Sequence, residues 1–586
     1  MSQESWKPSP DVEETVLKHA VLNALRHGGK ALLGPVISKV LGEKPELRPY
    51  VKELAKYIAK VINEVNSMSI NDLQRLAKER FPEILEEKKT RIEKKVLPPL
   101  PSADKYKKVI TRFAPNPDFA IHIGNARPAL LCYEYARMYN GLMILRFEDT
   151  DPRIKVPLPE AYECIKEDLR WLGVKWDEEY IQSLRIETYY NIAKELIKRN
   201  GAYVDLCKAS EFRKYRNAGK PCPHRNEDKE VHLDRFEKML RGDYGEGEAV
   251  LRIKTDLKYP DPSIRDWVAF RIIDTEKNPH PLVGSKYIVW PTYNFAAAVD
   301  DYLMGVTHIL RAREHMVNTI KQKFLYSHMG WKYPEAIHFG RVRLEGFILS
   351  KSKIKELMKR YPGLFRGVDD IRFGTIAGLR QRGILPETIR EIILELGIKP
   401  TDATISWENL AAINRKNLDP RARRIMFVAN PVMLKVLGLN ISEIKVPYHP
   451  SNKDLGERII KVSNIVWISS LDLEILKKHR IVRLMELVNI ELEGLENNAY
   501  IAKVHSRDVE TAKRLKIPII QWVSDIDKVK AIIEVPSGLR IKRIKGYVES
   551  SITKLQLNEI VQLVRFGFSK INSIKPQIAK LTYIHD

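Results

Sequence analysis

Cysteine is scarce in this sequence, which has four in 586 residues. So few thiols cannot build a disulfide framework across so long a chain, and this excludes the class of disulfide-stapled secreted proteins. Long hydrophobic runs are also missing. No apolar stretch approaches the roughly 18 residues that would span a bilayer, and residues 1–20 carry no apolar signal core. We therefore expect a cytoplasmic protein that is neither exported nor inserted into a membrane.

Basic residues outnumber acidic ones, 99 to 75, which gives a formal net charge of +24. Such an imbalance is typical of proteins that bind a polyanion, most simply nucleic acid. The alternative is a generically lysine-rich protein from a thermophile, since abundant Lys, Glu and Ile with few Cys fits that habit. A chain of this length exceeds a single hydrophobic core, so we expect three to five domains.

Residues 1–100 are interpreted as an N-terminal helical extension. Apolar residues spaced three and four apart predict helices over 12–25, 47–66 and 70–81. A charge run at 86–95 and three prolines, at 98, 99 and 101, then indicate a domain boundary. Binding of a protein or RNA partner and a plain packing role are both open for this module.

From residue 101 the pattern changes to short apolar runs alternating with helices, which predicts a parallel sheet covered by helices. Residues 101–204 form its first half and residues 286–355 its second, with strands expected at 109–113, 142–147, 287–290 and 337–344. A charged, Gly-rich stretch at 205–285 is interpreted as an insertion that splits the sheet. The loops holding His122 and Glu148 both follow strands, so they should meet at one crevice.

The remaining chain divides into a helical stretch, 356–430, and a β-rich region, 431–586. The helical part centres on residues 371–396. Short β-rich runs separated by turns then occur at 459–468, 500–504, 519–523 and 560–566. This pattern predicts an all-β end built of barrels or sandwiches.

Two stretches indicate a nucleotide site. The segment Arg112 to Asn125 runs from a strand through two prolines into His-Ile-Gly-Asn and a helix expected from about residue 129, and a helix N-terminus favours phosphate. The loop Leu349-Ser-Lys-Ser-Lys353 offers ammonium donors. Each alone has a plain alternative, a histidine that caps a helix and a solvated Lys-Ser loop.

Together these stretches resemble the two signatures of class I aminoacyl-tRNA synthetases. The chain from about residue 107 is similar to the glutamyl- and glutaminyl-tRNA synthetase group, best to its archaeal glutamyl branch with a β-barrel tRNA-binding end. Six matching stretches occur in order: Arg112-Phe-Ala-Pro, Leu145-Arg-Phe-Glu-Asp-Thr-Asp-Pro152, Trp171-Leu-Gly173, Pro291-Thr-Tyr-Asn-Phe295, Asp300-Asp-Tyr-Leu-Met-Gly-Val-Thr-His308 and Gly378-Leu-Arg-Gln-Arg-Gly383.

The resemblance implies a multidomain α/β plus β architecture: a split Rossmann-like sheet, an acceptor-binding insertion, and a C-terminal β-barrel region that binds the anticodon. It implies a glutamate–tRNA ligase that uses ATP and Mg²⁺ to join L-glutamate to tRNA(Glu), with charging of tRNA(Gln) left open. Such a reaction asks mainly for positioning and charge stabilisation.

Residue by residue, the resemblance implies an ATP site and a glutamate site. The expected ATP contacts are His122, Gly124, Asn125, Arg341, Val342, Ser350, Lys351 and Ser352, with His122, Gly124, Asn125 and Lys351 as the catalytic set. The expected glutamate contacts are Arg112, Ala114, Asn116, Glu148, Tyr293 and Arg311.

In that site Glu148 would hold the substrate ammonium, while Arg112 and Arg311 would hold its carboxylates. The alternative for Glu148 is a structural pair with Arg146. Arg311 favours glutamate, because the glutamine-specific branch carries a small residue there and an unpaired buried guanidinium rejects a neutral amide.

The sequence departs from the family pattern in three places. Asn125 replaces the second histidine of the first signature, Ile348-Leu349 replace the Lys-Met of the second, and Ala297 stands where relatives carry a polar side chain at the edge of the pocket. Three alternatives therefore stay open: a glutaminyl-tRNA synthetase, a catalytically silent tRNA-binding relative, and a small-molecule nucleotidyltransferase, which would not need the basic C-terminal half.

Two further groups of residues are candidates for binding. Asp205, Cys207, Cys222 and His224 resemble a zinc knuckle with Asp in place of one Cys, and all four can ligate zinc; buried free thiols are the alternative. A basic run would contact tRNA phosphates, with a solvated linker as the alternative. Its residues are Arg415, Lys416, Arg421, Arg423 and Arg424.

Overall fold

The computed structural model describes residues 8–26, 29–81, 97–496 and 499–586. The chain forms two compact units, residues 1–97 and 98–586. The charge run predicted at 86–95 lies outside the described residues. No helix of the described chain is long and apolar enough to cross a bilayer.

The first unit is helical around its own apolar core, to which Val16, Leu54 and Ile58 belong. The three predicted helices are present, and the structure adds a further one at 33–43. The second predicted helix starts later than expected, because residues 45–50 form a 3₁₀ turn containing Pro49, which lacks the N–H that an α-helix needs. The helices are α1 Pro10–Arg26, α2 Leu33–Glu43, α3 Val51–Ser67 and α4 Ile70–Arg80.

The second unit contains helices and strands throughout. Its helices are α5 Ile123–Met138, α6 Pro159–Trp171, α7 Ile186–Lys198, α8 Ala209–Ala218, α9 Lys229–Arg241, α10 Tyr293–Leu303, α11 Met316–Met329, α12 Lys351–Arg360, α13 Ile376–Arg382, α14 Pro386–Leu396, α15 Trp407–Leu418, α16 Ser470–His479 and α17 Val509–Arg514.

Its strands, in chain order, are β1 Ile110–Phe113, β2 Leu142–Phe147, β3 Glu178–Ile181, β4 Ala202–Asp205, β5 Val250–Ile253, β6 Val268–Ile272, β7 Val289–Pro291, β8 His308–Ala312, β9 Glu335–Phe339, β10 Val342–Leu344, β11 Ala403–Ile405, β12 Arg423–Ile425, β13 Phe427–Ala429, β14 Pro431–Leu437, β15 Glu443–Pro447, β16 Glu457–Lys461, β17 Ile465–Ser469, β18 Ile481–Leu484, β19 Asn489–Glu496, β20 Ala499–Ser506, β21 Ile519–Ile520, β22 Val523–Ser524, β23 Lys528–Ser537, β24 Arg540–Glu549, β25 Ile560–Leu563, β26 Gly567–Lys575 and β27 Ile578–His585.

The predicted parallel sheet is confirmed. Its strand order is β3-β2-β1-β8-β9, and every neighbouring pair is parallel. Strands β1 to β3 precede the insertion in the chain and β8 and β9 follow it, so the sheet is split as expected. The strand order reverses between β1 and β8, which is where a sheet of this kind leaves a crevice at its carboxyl edge.

Two runs assigned to this sheet from the sequence lie elsewhere in whole or in part. Strand β7, predicted at 287–290, pairs with β6 and forms the edge of the antiparallel sheet β4-β5-β6-β7 of the insertion. The run 337–344 divides into two strands: β9 pairs with β8 in the parallel sheet, as predicted, whereas β10 pairs with β11 outside it. These errors arose because an apolar run shows that a strand forms but not which distant segment it pairs with.

The C-terminal β region contains two seven-stranded sheets, with orders β12-β25-β26-β27-β23-β24-β13 and β21-β18-β19-β20-β14-β17-β22. In each sheet the two edge strands are near neighbours in the chain, separated by Met426 in the first and by Gln521 and Trp522 in the second. Each sheet therefore curls towards closure, which confirms the barrel prediction.

The region is not purely β, however. Helices α16 and α17 lie within it, each started by a side chain that accepts a hydrogen bond from the third residue beyond it. Ser469 accepts from the Asp472 N–H, and Asp508 accepts from the Thr511 N–H. Such N-cap residues are a local signal that the β-rich prediction did not use.

Candidate active site

A cavity of about 790 Å³ lies at the carboxyl ends of β1, β2 and β8. Both predicted loops line it, which confirms that they meet at one crevice. Of the residues predicted to bind substrates, the cavity wall contains Arg112, Ala114, Asn116, His122, Gly124, Asn125, Glu148, Tyr293, Arg311, Arg341, Val342 and Lys351. Within the described chain, Ser350, Ser352 and Ala297 are not part of this wall.

His122 is the N-cap of α5, which begins at Ile123 and not near residue 129. The Gly124 N–H donates to His122 Nδ1 over 3.0 Å, and the His122 N–H donates to Asn125 Oδ1 over 3.1 Å. This reciprocal capping starts the helix earlier than its apolar pattern suggested. It also corrects one expectation, since the Gly124 N–H is taken by His122 and is not free for a phosphate.

The same contacts define the chemistry of His122. Because Nδ1 accepts a hydrogen bond, the proton of the neutral ring belongs on Nε2. Burial, reinforced by the nearby charge of Lys351, lowers the pKa of His122 to about 4. At neutral pH the ring is therefore an uncharged hydrogen-bond donor. Asn125 uses its carbonyl oxygen for the cap and keeps its amide hydrogens as donors, so it can still hydrogen-bond an anion without a charge.

A short segment that the motif analysis missed holds the two signatures together. Ile123 N–H donates to Gly374 O over 3.2 Å, and Ile376 N–H donates to Ile121 O over 3.0 Å. On its other side Gly374 N–H donates to Ile348 O over 3.2 Å. Residues 374–376 are therefore bonded to both the His122 loop and the Lys-Ser loop, which fixes the spacing between them.

The Lys-Ser loop presents a single cation to the cavity. Lys351 Nζ donates to Asp118 Oδ1 over 2.8 Å, whereas Ser350 caps α12 by accepting from the Lys353 N–H and exchanges a hydrogen bond with Ser352. The serines thus have structural partners, and the expectation that they contact ATP is not supported by their position. Lys351 alone keeps the predicted place.

Arg341 and Val342, which the resemblance implies as ATP contacts, both line the cavity. The Arg341 guanidinium pairs with Glu314, Nε to Oε2 at 2.5 Å. Glu314 also lines the cavity and was missed by the motif analysis. It lies just beyond β8 in a 3₁₀ turn, and no local pattern in the sequence distinguishes it from an ordinary surface acid.

The end of the cavity that contains Arg112 and Glu148, two of the expected glutamate contacts, is built on a buried chain of alternating charges. Arg112 Nε donates to Asp301 Oδ1 over 3.0 Å, Arg146 Nη1 lies 2.8 Å from the same oxygen, and Arg146 Nη2 donates to Glu148 Oε1 over 3.0 Å. The structural role considered for Glu148 is therefore real, yet Glu148 also faces the cavity. Burial raises the pKa of Glu148 in spite of the two arginines.

Arg311 is held differently, because no acid among the described residues pairs with it. Its Nη2, with two hydrogens, lies within hydrogen-bond distance of three acceptors: Thr319 Oγ1, Gln322 Oε1 and the Tyr333 hydroxyl. Its Nε and Nη1 are buried and have no hydrogen-bond partner within the described chain. Unsatisfied donors on a buried guanidinium call for an anionic acceptor such as a carboxylate oxygen, and leaving them unmatched is costly.

The comparisons with known proteins agree with this geometry. A family model described as tRNA synthetases class I (E and Q), catalytic domain, matches residues 108–420. A second, the anti-codon binding domain of the same group, matches residues 422–508. The chain belongs to the class I tRNA synthetases of the E and Q group.

Curated proteins similar to this synthetase match it over almost its whole length. A glutamate–tRNA ligase of Hyperthermus butylicus is 54% identical over 583 residues, covering 97% of this chain and 100% of its own. That of Staphylothermus marinus is 52% identical, with 97% and 100% covered. A solved glutamate tRNA ligase of Elizabethkingia meningosepticum covers 53% of this chain and 70% of its own at 24% identity, and its TM-score of 0.39 is too low for comparing sites.

The predicted zinc residues of the synthetase do come together. One ligand atom from each of Asp205, Cys207, Cys222 and His224 lies within 4.8 Å of the others. Cys207 Sγ is 3.5 Å from His224 Nδ1, and Cys222 Sγ is 3.6 Å from Asp205 Oδ1. Separations of this size suit four ligands around a single zinc ion, whose bonds are about 2.0–2.3 Å long.

The carboxylate of that cluster has a second role. Arg252 Nε donates to Asp205 Oδ2 over 2.7 Å, so Oδ1 is the oxygen that faces the two sulfurs. Burial raises the pKa of Cys207. A zinc ion would reverse this shift, since thiolates are its ligands. The residues present therefore fit a zinc ion.

The basic run of the synthetase is less free than its sequence indicated. Four of its side chains pair with acids: Lys416 with Glu391 at 2.9 Å, Arg421 with Glu387 at 3.6 Å, Arg423 with Glu559 at 2.5 Å and Arg424 with Asp419 at 3.0 Å. Arg415 donates to the backbone oxygen of Asp586. These pairs reduce the local positive charge, so the run is a weaker candidate for phosphate contacts than expected.

Proposed function

We propose that this synthetase is a glutamate–tRNA ligase, which activates L-glutamate with ATP and transfers the glutamyl group to the 3′-terminal ribose of tRNA(Glu). The observation that carries the proposal is Arg311. Arg311 lines one end of the cavity, where two of its buried nitrogen donors have no partner among the described residues. His122 and Lys351 line the end assigned to the nucleotide. The relatives that match nearly the whole chain carry the same activity in their names.

In this proposal, glutamate binds through charges of opposite sign. Arg311 pairs with the side-chain carboxylate through an unmatched N–H of its guanidinium, and Glu148 accepts hydrogen bonds from the substrate ammonium. Arg112 also borders the cavity, but its charge is already balanced by Asp301. Arg311 is therefore the main source of selectivity for glutamate over glutamine, because a neutral amide cannot satisfy it in the same way.

The first step joins the α-carboxylate oxygen of glutamate to the α-phosphorus of ATP, and pyrophosphate leaves with its electron pair. Negative charge builds on the departing phosphates, so donors fixed in advance lower the barrier. Lys351 supplies a positive charge and the neutral His122 supplies an Nε2–H donor. ATP enters as its magnesium complex, in which phosphate oxygens are the hard ligands that Mg²⁺ prefers.

In the second step a ribose hydroxyl oxygen attacks the carbonyl carbon of glutamyl-adenylate. The ester forms, AMP leaves, and the hydroxyl proton passes to the departing phosphate or to water. No side-chain nucleophile is required at either stage, which fits a cavity walled by positioning groups. The insertion is assigned to the acceptor end of tRNA and the C-terminal barrels to the anticodon. A cytoplasmic location fits this proposal, since translation takes place there.

The test is ATP–pyrophosphate exchange and tRNA charging by the full-length protein. Each of glutamate and glutamine is assayed with tRNA(Glu) and with tRNA(Gln). Glutamate-dependent exchange with ester formation on tRNA(Glu) is the expected result, and ester on tRNA(Gln) would extend the substrate range. Exchange with glutamine alone would make the protein a glutaminyl-tRNA synthetase. Tight tRNA binding without ester would make it a silent relative.

We also propose that Asp205, Cys207, Cys222 and His224 hold a structural zinc ion in the insertion. All four donor atoms face one another and Arg252 orients the carboxylate. The ion would tie β4 to the turn that carries His224 and would contribute to the stability of the insertion, without taking part in either chemical step.

A further inference from the structure

The cations at the nucleotide end of the cavity are already neutralised. Lys351 pairs with Asp118 and Arg341 pairs with Glu314. All four of these residues line the cavity. At the glutamate end, by contrast, Arg311 has no acidic partner among the described residues. The two ends of the site therefore differ: Arg311 has no acidic partner at one end, whereas Lys351 and Arg341 are each paired with an acid at the other.

The Lys351–Asp118 pair joins the two signature loops. Asp118 lies in the turn that follows β1, four residues before His122, and Lys351 is the first residue of α12. The two residues are 233 positions apart in the chain, and the ammonium and carboxylate are 2.8 Å apart. Their side chains are about one fifth to one quarter exposed, 26% for Lys351 and 18% for Asp118, so water screens the pair only in part.

A triphosphate cannot enter beside this pair without a cost. The Asp118 carboxylate takes one N–H of the Lys351 ammonium and balances its charge, so a phosphate oxygen that contacts Lys351 would lie close to that carboxylate. If both anions were to share the ammonium, like charges would lie within a few ångströms of each other, which is unfavourable. One anion must give way, and the Asp118 carboxylate is held by this contact alone among the described residues.

We propose that Asp118 is a positioning residue that stands in for the ATP phosphates at Lys351 and is displaced when the nucleotide binds. The pair keeps Lys351 directed into the cavity and keeps the two signature loops together before ATP arrives. The contact also lowers the apparent affinity for ATP, since ATP must compete for the lysine. The inference rests on the proposed function insofar as Lys351 is taken to contact ATP.

The test is the affinity of the full-length protein for ATP, measured by calorimetry without glutamate or tRNA. An exposed or partly exposed ion pair is worth about 0.2–1 kcal/mol, which corresponds to a binding change of about 1.4- to 5-fold. Asp118→Asn should therefore bind ATP about 1.4- to 5-fold more tightly than the wild type. Asp118→Glu, which keeps the charge, should restore affinity close to that of the wild type.

Kinetics add a readout that a merely structural residue would not move. In ATP–pyrophosphate exchange, Asp118→Asn should lower the KM for ATP without raising kcat, because the gain is in ground-state binding. The matched control is Asp104→Asn, the same change at an exposed aspartate outside the cavity wall, and it should leave both constants unchanged. Thermal melting of each variant checks that it is folded.

A double-mutant cycle isolates the contact. In a Lys351→Ala background, Asp118→Asn should change ATP affinity by much less than it does in the wild type. Unchanged or weaker ATP binding by the single variant would overturn the inference, as would an equally large effect in both backgrounds, since Asp118 would then not act through Lys351. Failure of the proposed function shows itself separately, as a wild type that binds ATP but exchanges no pyrophosphate with glutamate.

Discussion

Arg311 offers the sharpest test of how this protein selects its amino acid. We consider its replacement by cysteine, which removes the guanidinium and leaves a small side chain. In the wild type Nε and Nη1 are buried and unmatched, while Thr319, Gln322 and Tyr333 hold the third nitrogen, Nη2. The side-chain carboxylate of glutamate is expected to pair with this guanidinium and to accept from one of its unmatched donors.

The magnitude follows from burial. Arg311 is 5% exposed, so its pair with the substrate is desolvated. Removing one partner of a buried ion pair costs roughly 3–5 kcal/mol, because the other charge is left uncompensated. At about 1.4 kcal/mol per factor of ten, kcat/KM for glutamate should fall roughly 100- to 5,000-fold. Glutamine, which carries no charge to strand, should lose much less, so the preference for glutamate should shrink.

The assay is ATP–pyrophosphate exchange in the presence of tRNA, with glutamate and glutamine measured in parallel. Arg313→Cys is the matched control. Arg313 lies two residues away, and its side chain is 54% exposed. It is not among the described residues that line the cavity. That variant should behave as the wild type does. A kcat/KM for glutamate that stays within about threefold of the wild type in Arg311→Cys, with unchanged selectivity, would refute the assignment.

Three further outcomes are expected. Lys351→Ala should lower the rate of adenylate formation roughly 100-fold or more while tRNA affinity stays nearly intact, and an equal loss of both would contradict its assigned role. The pKa of His122 is lowered to about 4, below its usual 6.5, so titration of this ring should produce no step in the activation rate between pH 5.5 and 8. The stability that the neutral ring contributes to the fold should be lost only as pH falls from about 6.5 towards 4. A step in the rate near pH 6.5 that disappears in His122→Asn would contradict this expectation. Chelation should release about one zinc ion per chain, measured by atomic absorption. If the purified protein contains no metal, the zinc site that includes Cys207 is excluded.

The predictions that succeeded rest on local patterns. Alternating short strands and helices identified the parallel sheet, and strand-to-loop positions placed His122 and Glu148 at one crevice, because the carboxyl ends of parallel strands share an edge. The predicted start of the helix that follows the signature loop was wrong by about six residues. Helix α5 starts at Ile123, since a capping box overrides a weak apolar pattern.

The failures and omissions share a physical cause. Strand β7 was placed in the wrong sheet because pairing partners are chosen in three dimensions. The acidic partners of the site were missed for the same reason: Asp301 is 189 residues from Arg112, and Asp118 is 233 residues from Lys351. No spacing rule reaches across such distances, and an acid that balances a buried arginine looks in the sequence like any other acid.

The sequence by itself determined which chemical groups this protein possesses and, through motifs only a few residues long, which loops carry them. It determined that a neutral or cationic set of donors would border a nucleotide and that arginines would border an amino acid. Only the tertiary structure decided which of those donors are free. Arg112 and Lys351 are balanced by distant acids, the Gly124 N–H is used by His122, and Arg311 alone among these keeps buried donors unmatched. A residue's type fixes its charge and its hydrogen-bonding atoms, but the fold fixes what lies next to them.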